Sequence, residues 1–328
     1  MENIPCPQPA YPGYFADPFV WRHEGEYYAI GTGPQEADGN VVHASEASVF
    51  AVLRSRDLSE WHAAGRALIA PDASLGSSFW APEIAWADGH WHLYYSVGHG
   101  DHLHQLRVAI SNEPLGPYVD CAQLTDPVEI PFAIDPHPFK DDDGRWYLFH
   151  ARDYLDTNED AIGAVRAGTA LTVGELESMT RLSRRVTTVL RARCDWQRFA
   201  SERTMYGRVF DWHTLEGPCV VRERGRYYCL YSGGCWQTET YGLDYTVSDR
   251  VLGPYEQIAG EPHARLLRTI PGALVGPGHC SVAPARDGSG RIIAYHAWDP
   301  AMTARRMYID ELVFDENRPR VVHACEQS

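Results

Sequence analysis

Three carboxylates stand in look-alike settings along this chain: Asp17 in F-A-D-P-F, Asp135 in A-I-D-P-H and Glu216 in T-L-E-G-P. Each opens a strand-like run where Pro or Gly pins the backbone. Carboxyls that converge in one partly dry pocket cannot all ionise freely, so at least one pKa must rise. A carboxylic acid held protonated beside an ionised partner suits glycosidic cleavage. The acid gives its proton to the leaving oxygen, and the partner activates water or attacks carbon. Taken singly, Asp before Pro is a common turn element. Recurrence in similar surroundings is what gives these three weight.

The surroundings repeat five times. The copies are ADPFVWRHEGEYYAIGTG, APEIAWADGHWHLYYSVG, IDPHPFKDDDGRWYLFHARD, EGPCVVRERGRYYCLYSGG and GHCSVAPARDGSGRIIAYHAW. They are led by Asp17, Glu83, Asp135, Glu216 and His279, at intervals of 66, 52, 81 and 63 residues. Each reads as an apolar strand, a Gly or Asp turn and a second strand, a hairpin whose register the turn fixes. Self-similarity at a fixed period marks a propeller or array, and a repeat longer than the ~40–50 residues of common propeller blades leaves room for pocket loops. SNEPLGPYVD at Ser111 and SDRVLGPYEQI at Ser248 fit outer strands with a Gly-Pro corner, and SRDLSEWHAAG at Ser55 is a looser version. The stretch from Ala161 to Arg198 is less aromatic and reads as outer strands plus a loop insertion ending near DWHTLEGP. No linker divides the chain and no long 3.6-period helix is present. The expectation is an all-β, five-bladed β-propeller forming a single domain over residues 1–328, with one ionisable group per repeat aimed at a common axis.

Composition narrows the partners. A net charge of -15 argues against nucleic acid or an anionic membrane and suits a neutral substrate. No apolar run approaches the ~20 residues that span a bilayer. The N-terminus MENIPCPQPAYPGYF has neither a basic flank nor an apolar core, and the eight cysteines form no C-x-x-C pair. A cytoplasmic location with reduced thiols is therefore expected.

The ordered set A-D-P-F, W-A-P-E, I-D-P-H, E-G-P and G-P-G-H resembles glycoside hydrolase family 43, five-bladed propellers acting on arabinose- and xylose-containing glycans. The resemblance runs from Tyr14 to about Val321 with the motifs in family order. It implies an inverting mechanism with Asp17 as general base, Glu216 as general acid and Asp135 as the carboxylate that tunes the acid and holds the sugar. The base and acid carboxyls should then stand roughly 6.5–9.5 Å apart. His279 matches an axial histidine that helps bind a cation, often calcium through waters. Trp80 and Glu83 match a segment lining the sugar pocket, where Trp80 would stack on a pentose and Glu83 would support a neighbouring strand or a hydroxyl. Phe15 and Phe79 flank axial residues as possible walls. Many family members use an arginine from the last blade; Arg305 and Arg306 both qualify, and Arg306 is taken as the substrate ligand.

Weaker signals remain. GHGDHLHQ (His99, His102, His104) fits no zinc spacing and reads as a pocket-face loop. DDDG at Asp141 lacks the closing Glu of a calcium loop and reads as a hairpin turn. Trp236 and Trp298 read as core or rim aromatics. The resemblance implies a glycoside hydrolase with a small oligosaccharide substrate, an exo-acting α-L-arabinofuranosidase in first place. A β-xylosidase, an endo-arabinanase and an inactive sugar-binding propeller are the alternatives, and calcium is the one cofactor implied.

Overall fold

The computed structural model describes residues 7–34, 48–157 and 164–323. Among them are twenty strands and no α-helix. In the first repeat, β1 (Ala16–His23) pairs with β2 (Glu26–Thr32), then β3 (Ser48–Ser55) and β4 (His62–Ile69). The second is β5 (Ser78–Ala87), β6 (His90–His99), β7 (His102–Ser111) and β8 (Val119–Gln123). The third holds β9 (Ala133–Lys140), β10 (Trp146–Tyr154), β11 (Gly168–Ser178) and β12 (Arg181–Leu190). After β13 (Arg198–Met205), the fourth holds β14 (Arg208–Glu223), β15 (Arg226–Gly233) and β16 (Gly242–Ser248). The last is β17 (Val275–Pro284), β18 (Arg291–Trp298), β19 (Arg305–Asp315) and β20 (Arg318–Val322).

The turns explain the inner hairpins. Glu24–Gly25, Asp88–Gly89 and Arg224–Gly225 all have positive φ at both residues, the two-residue geometry whose twist matches a right-handed hairpin. The aromatic pairs that follow point to opposite faces, as neighbours on a strand must. Tyr27 enters the cluster shared with β17–β19, whereas Tyr28 enters the one shared with β5–β7. Tyr94 and Tyr95 divide in the same way. Each unit thus carries apolar cargo on both faces, which is why the aromatics recur as adjacent pairs.

The first strands of the repeats close a ring: β1 lies against β5, β5 against β9, β9 against β14, β14 against β17, and β17 against β1 again. The hydrogen-bonded sheets nevertheless number four, three of four strands and one of eight. The eight-stranded sheet arises because β14 is long. Its first half pairs with β13 and bridges β11 in parallel at Gly168–His213 and Thr169–Thr214, and its second half pairs with β15. The insertion expected to be a loop before E-G-P is therefore largely strand, the β13–β14 hairpin; residues 158–163 of that stretch lie outside the described residues. Beyond the second Gly-Pro corner no outer strand forms, although Glu256 still donates its N–H to the Val247 carbonyl at 2.9 Å. Among the described residues no helix is long and apolar enough to cross a membrane.

Candidate active site

Every axial strand breaks register where it meets the axis. Two residues are skipped between Ala16 and Phe19, between Trp80 and Glu83, between Ile134 and His137, between Glu216 and Cys219, and between Gly278 and Ser281. The first skipped residue has positive φ in all five: Asp17 (48°), Ala81 (46°), Asp135 (58°), Gly217 (57°) and His279 (48°). These bulges turn the strand and re-aim its side chains. They also correct the sequence alignment. Asp17, Asp135 and His279 occupy equivalent places, but Glu216 stands one residue before the bulge and Glu83 two residues after it.

The partner of the residue before each bulge is Thr32, Ser96, Ala151, Ser232 or His296. Three of these accept the bulge N–H of the next unit. Ala81 donates to Thr32 Oγ1 at 2.9 Å, His279 to Ser232 Oγ at 2.7 Å and Asp17 to His296 Nδ1 at 3.0 Å. Ala151 offers no acceptor. There the Gly217 N–H donates instead to Asp135 Oδ2 at 2.8 Å, which ties this carboxyl to the strand bearing Glu216.

Asp17, Asp135, Glu216 and His279 line one cavity of about 540 Å³. His279 Nδ1 lies 3.4 Å from Asp17 Oδ1 and 3.9 Å from Asp135 Oδ2. Arg305 Nη1 is 3.9 Å from Asp17 Oδ1. Burial opposes ionisation of Asp17, but His279, His296 and Arg305 outweigh it and hold the carboxyl well below the usual range. The other two move the opposite way. Burial, then the charges of Glu216 and Asp17, push Asp135 well up against the Gly217 N–H. Burial and the Asp17 charge raise Glu216 to about 7, although the Tyr241 hydroxyl donates to its Oε1 at 2.6 Å. No hydrogen bond joins Asp17 to Glu216 among the described residues. The cavity therefore holds one firmly ionised carboxylate and, apart from it, a carboxyl that keeps its proton to near neutral pH.

Trp80 lines the cavity, backed by the His104 ring at 3.7 Å, and Gly100 and Asp101 of the GHGDHLHQ turn line it too. The other expected ligands lie elsewhere. Phe15 packs edge-on to Tyr11, and Phe79 packs against Phe50 and Tyr95. Of the arginine pair, Arg305 faces the cavity, its guanidinium 4.3 Å from the Trp236 ring centre and its Nη2 2.6 Å from the Tyr14 hydroxyl. Arg306, the next residue and so on the other face of β19, pairs with Asp299 Oδ2 at 2.9 Å. Trp236 lines the cavity and stacks on Trp298. Tyr241, His296 and the β13–β14 residues that also line the cavity, Phe199, Arg203, Met205, Trp212 and Thr214, carried no motif in the sequence.

Glu83 turns away from the cavity and accepts from His137 Nδ1 at 2.8 Å. Its charge favours the imidazolium, but the Val220 N–H donates to Nε2 at 3.0 Å and needs a lone pair there, so the ring is neutral with its proton on Nδ1. This chain joins three axial strands. Glu83→Ala leaves a buried donor unpaired and is expected to cost about 2–3 kcal/mol, read from the urea unfolding midpoint; an unchanged midpoint would deny the pair any structural part.

Among the described residues no group of three or more His, Cys, Asp and Glu side chains is placed to hold a metal, and His279 Nδ1 is turned to two carboxylates. Calcium seeks six to eight oxygen ligands, so a cation beside His279 would take most of them from water.

A profile described as Glycosyl hydrolases family 43 matches residues 6–318. The chain belongs to that family. It is 26% identical to the β-D-galactofuranosidase xynD of Aspergillus niger, over 96% of this chain and 84% of that protein. It is 22% identical to the extracellular exo-α-(1→5)-L-arabinofuranosidase of Streptomyces avermitilis, over 86% of this chain and 54% of that protein. A crystal structure of a thermostable family-43 glycoside hydrolase superposes with a TM-score of 0.74 at 26% identity, covering 94% of this chain and 92% of the other. The all-β fold is thus the family's propeller, and this family-43 chain is a glycoside hydrolase acting on carbohydrate.

Proposed function

We propose that this family-43 enzyme is an inverting, exo-acting α-L-arabinofuranosidase in which Asp17 is the general base, Glu216 the general acid and Asp135 the group that tunes the acid. The observation that carries this reading is the opposite displacement of the Asp17 and Glu216 ionisations within one cavity. Asp17, ionised and flanked by His279 and Arg305, takes a proton from water as that water attacks the anomeric carbon. Glu216, protonated to near neutrality, gives its proton to the departing oxygen. Asp135 lies beside Glu216 through the Gly217 N–H, and the Glu216 charge is among the causes that raise the Asp135 pKa, so the two carboxyls titrate against one another. Trp80 offers an apolar face to the sugar, and Arg305 offers donors to its hydroxyls.

One alternative glycone has specific support. The Aspergillus relative named as a β-D-galactofuranosidase aligns over nearly the whole chain, and β-D-galactofuranose shares the ring configuration of α-L-arabinofuranose while carrying a longer exocyclic arm. A panel of 4-nitrophenyl α-L-arabinofuranoside, β-D-galactofuranoside and β-D-xyloside separates these readings, with the arabinofuranoside expected to be cleaved fastest. Proton NMR of the first-formed sugar is expected to show the inverted anomer. Retention would remove the base role from Asp17, and fastest cleavage of the xyloside would make the enzyme a β-xylosidase.

A further inference from the structure

The cavity has a wall that the repeating units alone do not build. Trp212, Thr214 and Glu216 follow one another at two-residue spacing on β14 and so share one face; all three line the cavity, together with Phe199, Arg203 and Met205 of the same hairpin. The hairpin is clasped at two points. At its tip, the Tyr206 hydroxyl donates to Asp153 Oδ2 at 2.7 Å, while Thr169 donates to Oδ1 at 2.8 Å. On its flank, Arg203 Nη2 donates to Asp101 Oδ2 at 2.6 Å, in the β6–β7 turn of a different unit. The Arg203 guanidinium also lies 4.7 Å from the Phe199 ring centre and 5.8 Å from that of Trp212. The turn bearing Asp101 is itself fixed, since Gly100 donates to Ser78 Oγ at 3.0 Å and its carbonyl lies 2.7 Å from His104 Nε2.

Stability does not account for this clasp. Half of the Asp101 side chain is exposed, and ion pairs of that kind contribute at most about 1 kcal/mol. As a surface for a sugar the set makes better sense: a planar guanidinium on aromatic rings, flanked by the carboxyls of Asp101 and Asp153, presents donors, acceptors and an apolar face together. Position decides which sugar. As the acid, Glu216 stands at the scissile oxygen, with Asp17 across the ring being released. The wall that continues from Glu216 along the same face of β14 therefore meets the group that departs.

We propose that Arg203 and Asp101, supported by Asp153 and Phe199, bind the leaving-group sugar and make this enzyme selective for a saccharide on that side of the bond. The proposal rests on Glu216 being the acid. The test compares kcat/KM for the aryl glycoside that the wild type cleaves best with that for the trisaccharide of the same glycone, in Arg203→Ala, Asp101→Ala and the double variant. Loss of one charge-assisted contact should lower trisaccharide turnover about 10- to 100-fold and aryl glycoside turnover several times less, because the nitrophenyl group lacks the hydroxyls the pair would hold. The double variant should lose little more than either single one, as coupled partners do. Asp101 lies in an exposed turn, so its replacement keeps the test clear of misfolding. Equal losses on both substrates, or an unaltered trisaccharide rate, would overturn the proposal. A wild type that hydrolyses none of the aryl glycosides would instead overturn the proposed function.

Discussion

Asp17→Asn is expected to abolish hydrolysis of every substrate, with kcat down by about 10³-fold or more, for aryl glycosides as well as oligosaccharides. A general base works on the attacking water, so a better leaving group cannot relieve its loss. Asparagine is the right replacement on structural grounds. Residue 17 has a φ of 48°, a conformation that Asn tolerates better than most residues, and the bond to His296 Nδ1 comes from the backbone N–H. The bulge should therefore survive while the charge is lost. Two further readouts identify the role. The Asp17 charge helps to raise Glu216, so residual activity should lose its alkaline limb at lower pH than the wild type. Azide, a nucleophile that needs no deprotonation, should restore part of the rate. Activity within tenfold of wild type, measured with the preferred aryl glycoside, would remove Asp17 from the base role.

The carboxylates were legible because the Pro or Gly beside them marks the axial bulge, a backbone feature with a residue signature. Their relative places were not. A bulge adds residues on one strand alone, and a shift of one or two positions leaves the hydrophobic pattern of the hairpin unchanged while sending the side chain elsewhere. The sequence pattern aligns Glu83 and Glu216 with Asp17. The pairing registers put Glu216 one step before the bulge, still facing the cavity, and Glu83 two steps after it, where it meets His137. Arg305 and Arg306 show the same difficulty at its simplest, because adjacent strand residues face opposite ways and composition cannot choose between them. The β13–β14 wall was invisible for another reason. Its strands pair locally as a hairpin, but the bridges that set it in the eight-stranded sheet, Gly168–His213 and Thr169–Thr214, join it to a distant strand. In sequence it resembles a polar insertion. The adjacent aromatic pairs, by contrast, recur because each inner strand fills two gaps at once.

Glu216→Gln should separate substrates by their leaving groups. Hydrolysis of unactivated arabino-oligosaccharides is expected to fall about 10²–10⁴-fold, whereas aryl glycosides with acidic phenols, which depart without a proton, should retain most of their rate. The pH profile supplies an independent sign. With Glu216 raised to about 7 and Asp17 held far below, wild-type activity on oligosaccharides requires an ionised Asp17 and a protonated Glu216. It should stand high through the weakly acidic range and fall as pH rises through 7. Glutamine neither ionises nor donates as an acid, so that alkaline limb should vanish in the variant. Its side-chain oxygen can still accept from Tyr241, as Glu216 Oε1 does at 2.6 Å, so the pocket wall should keep its shape. Parallel losses on both substrate classes, or an alkaline limb that persists in the variant, would move the acid role to the other raised carboxyl, Asp135. The Gly217 N–H on Asp135 Oδ2 and the Tyr241 hydroxyl on Glu216 Oε1 each leave one carboxyl oxygen over, so the dependence on the leaving group, and not the hydrogen bonding, decides between the two.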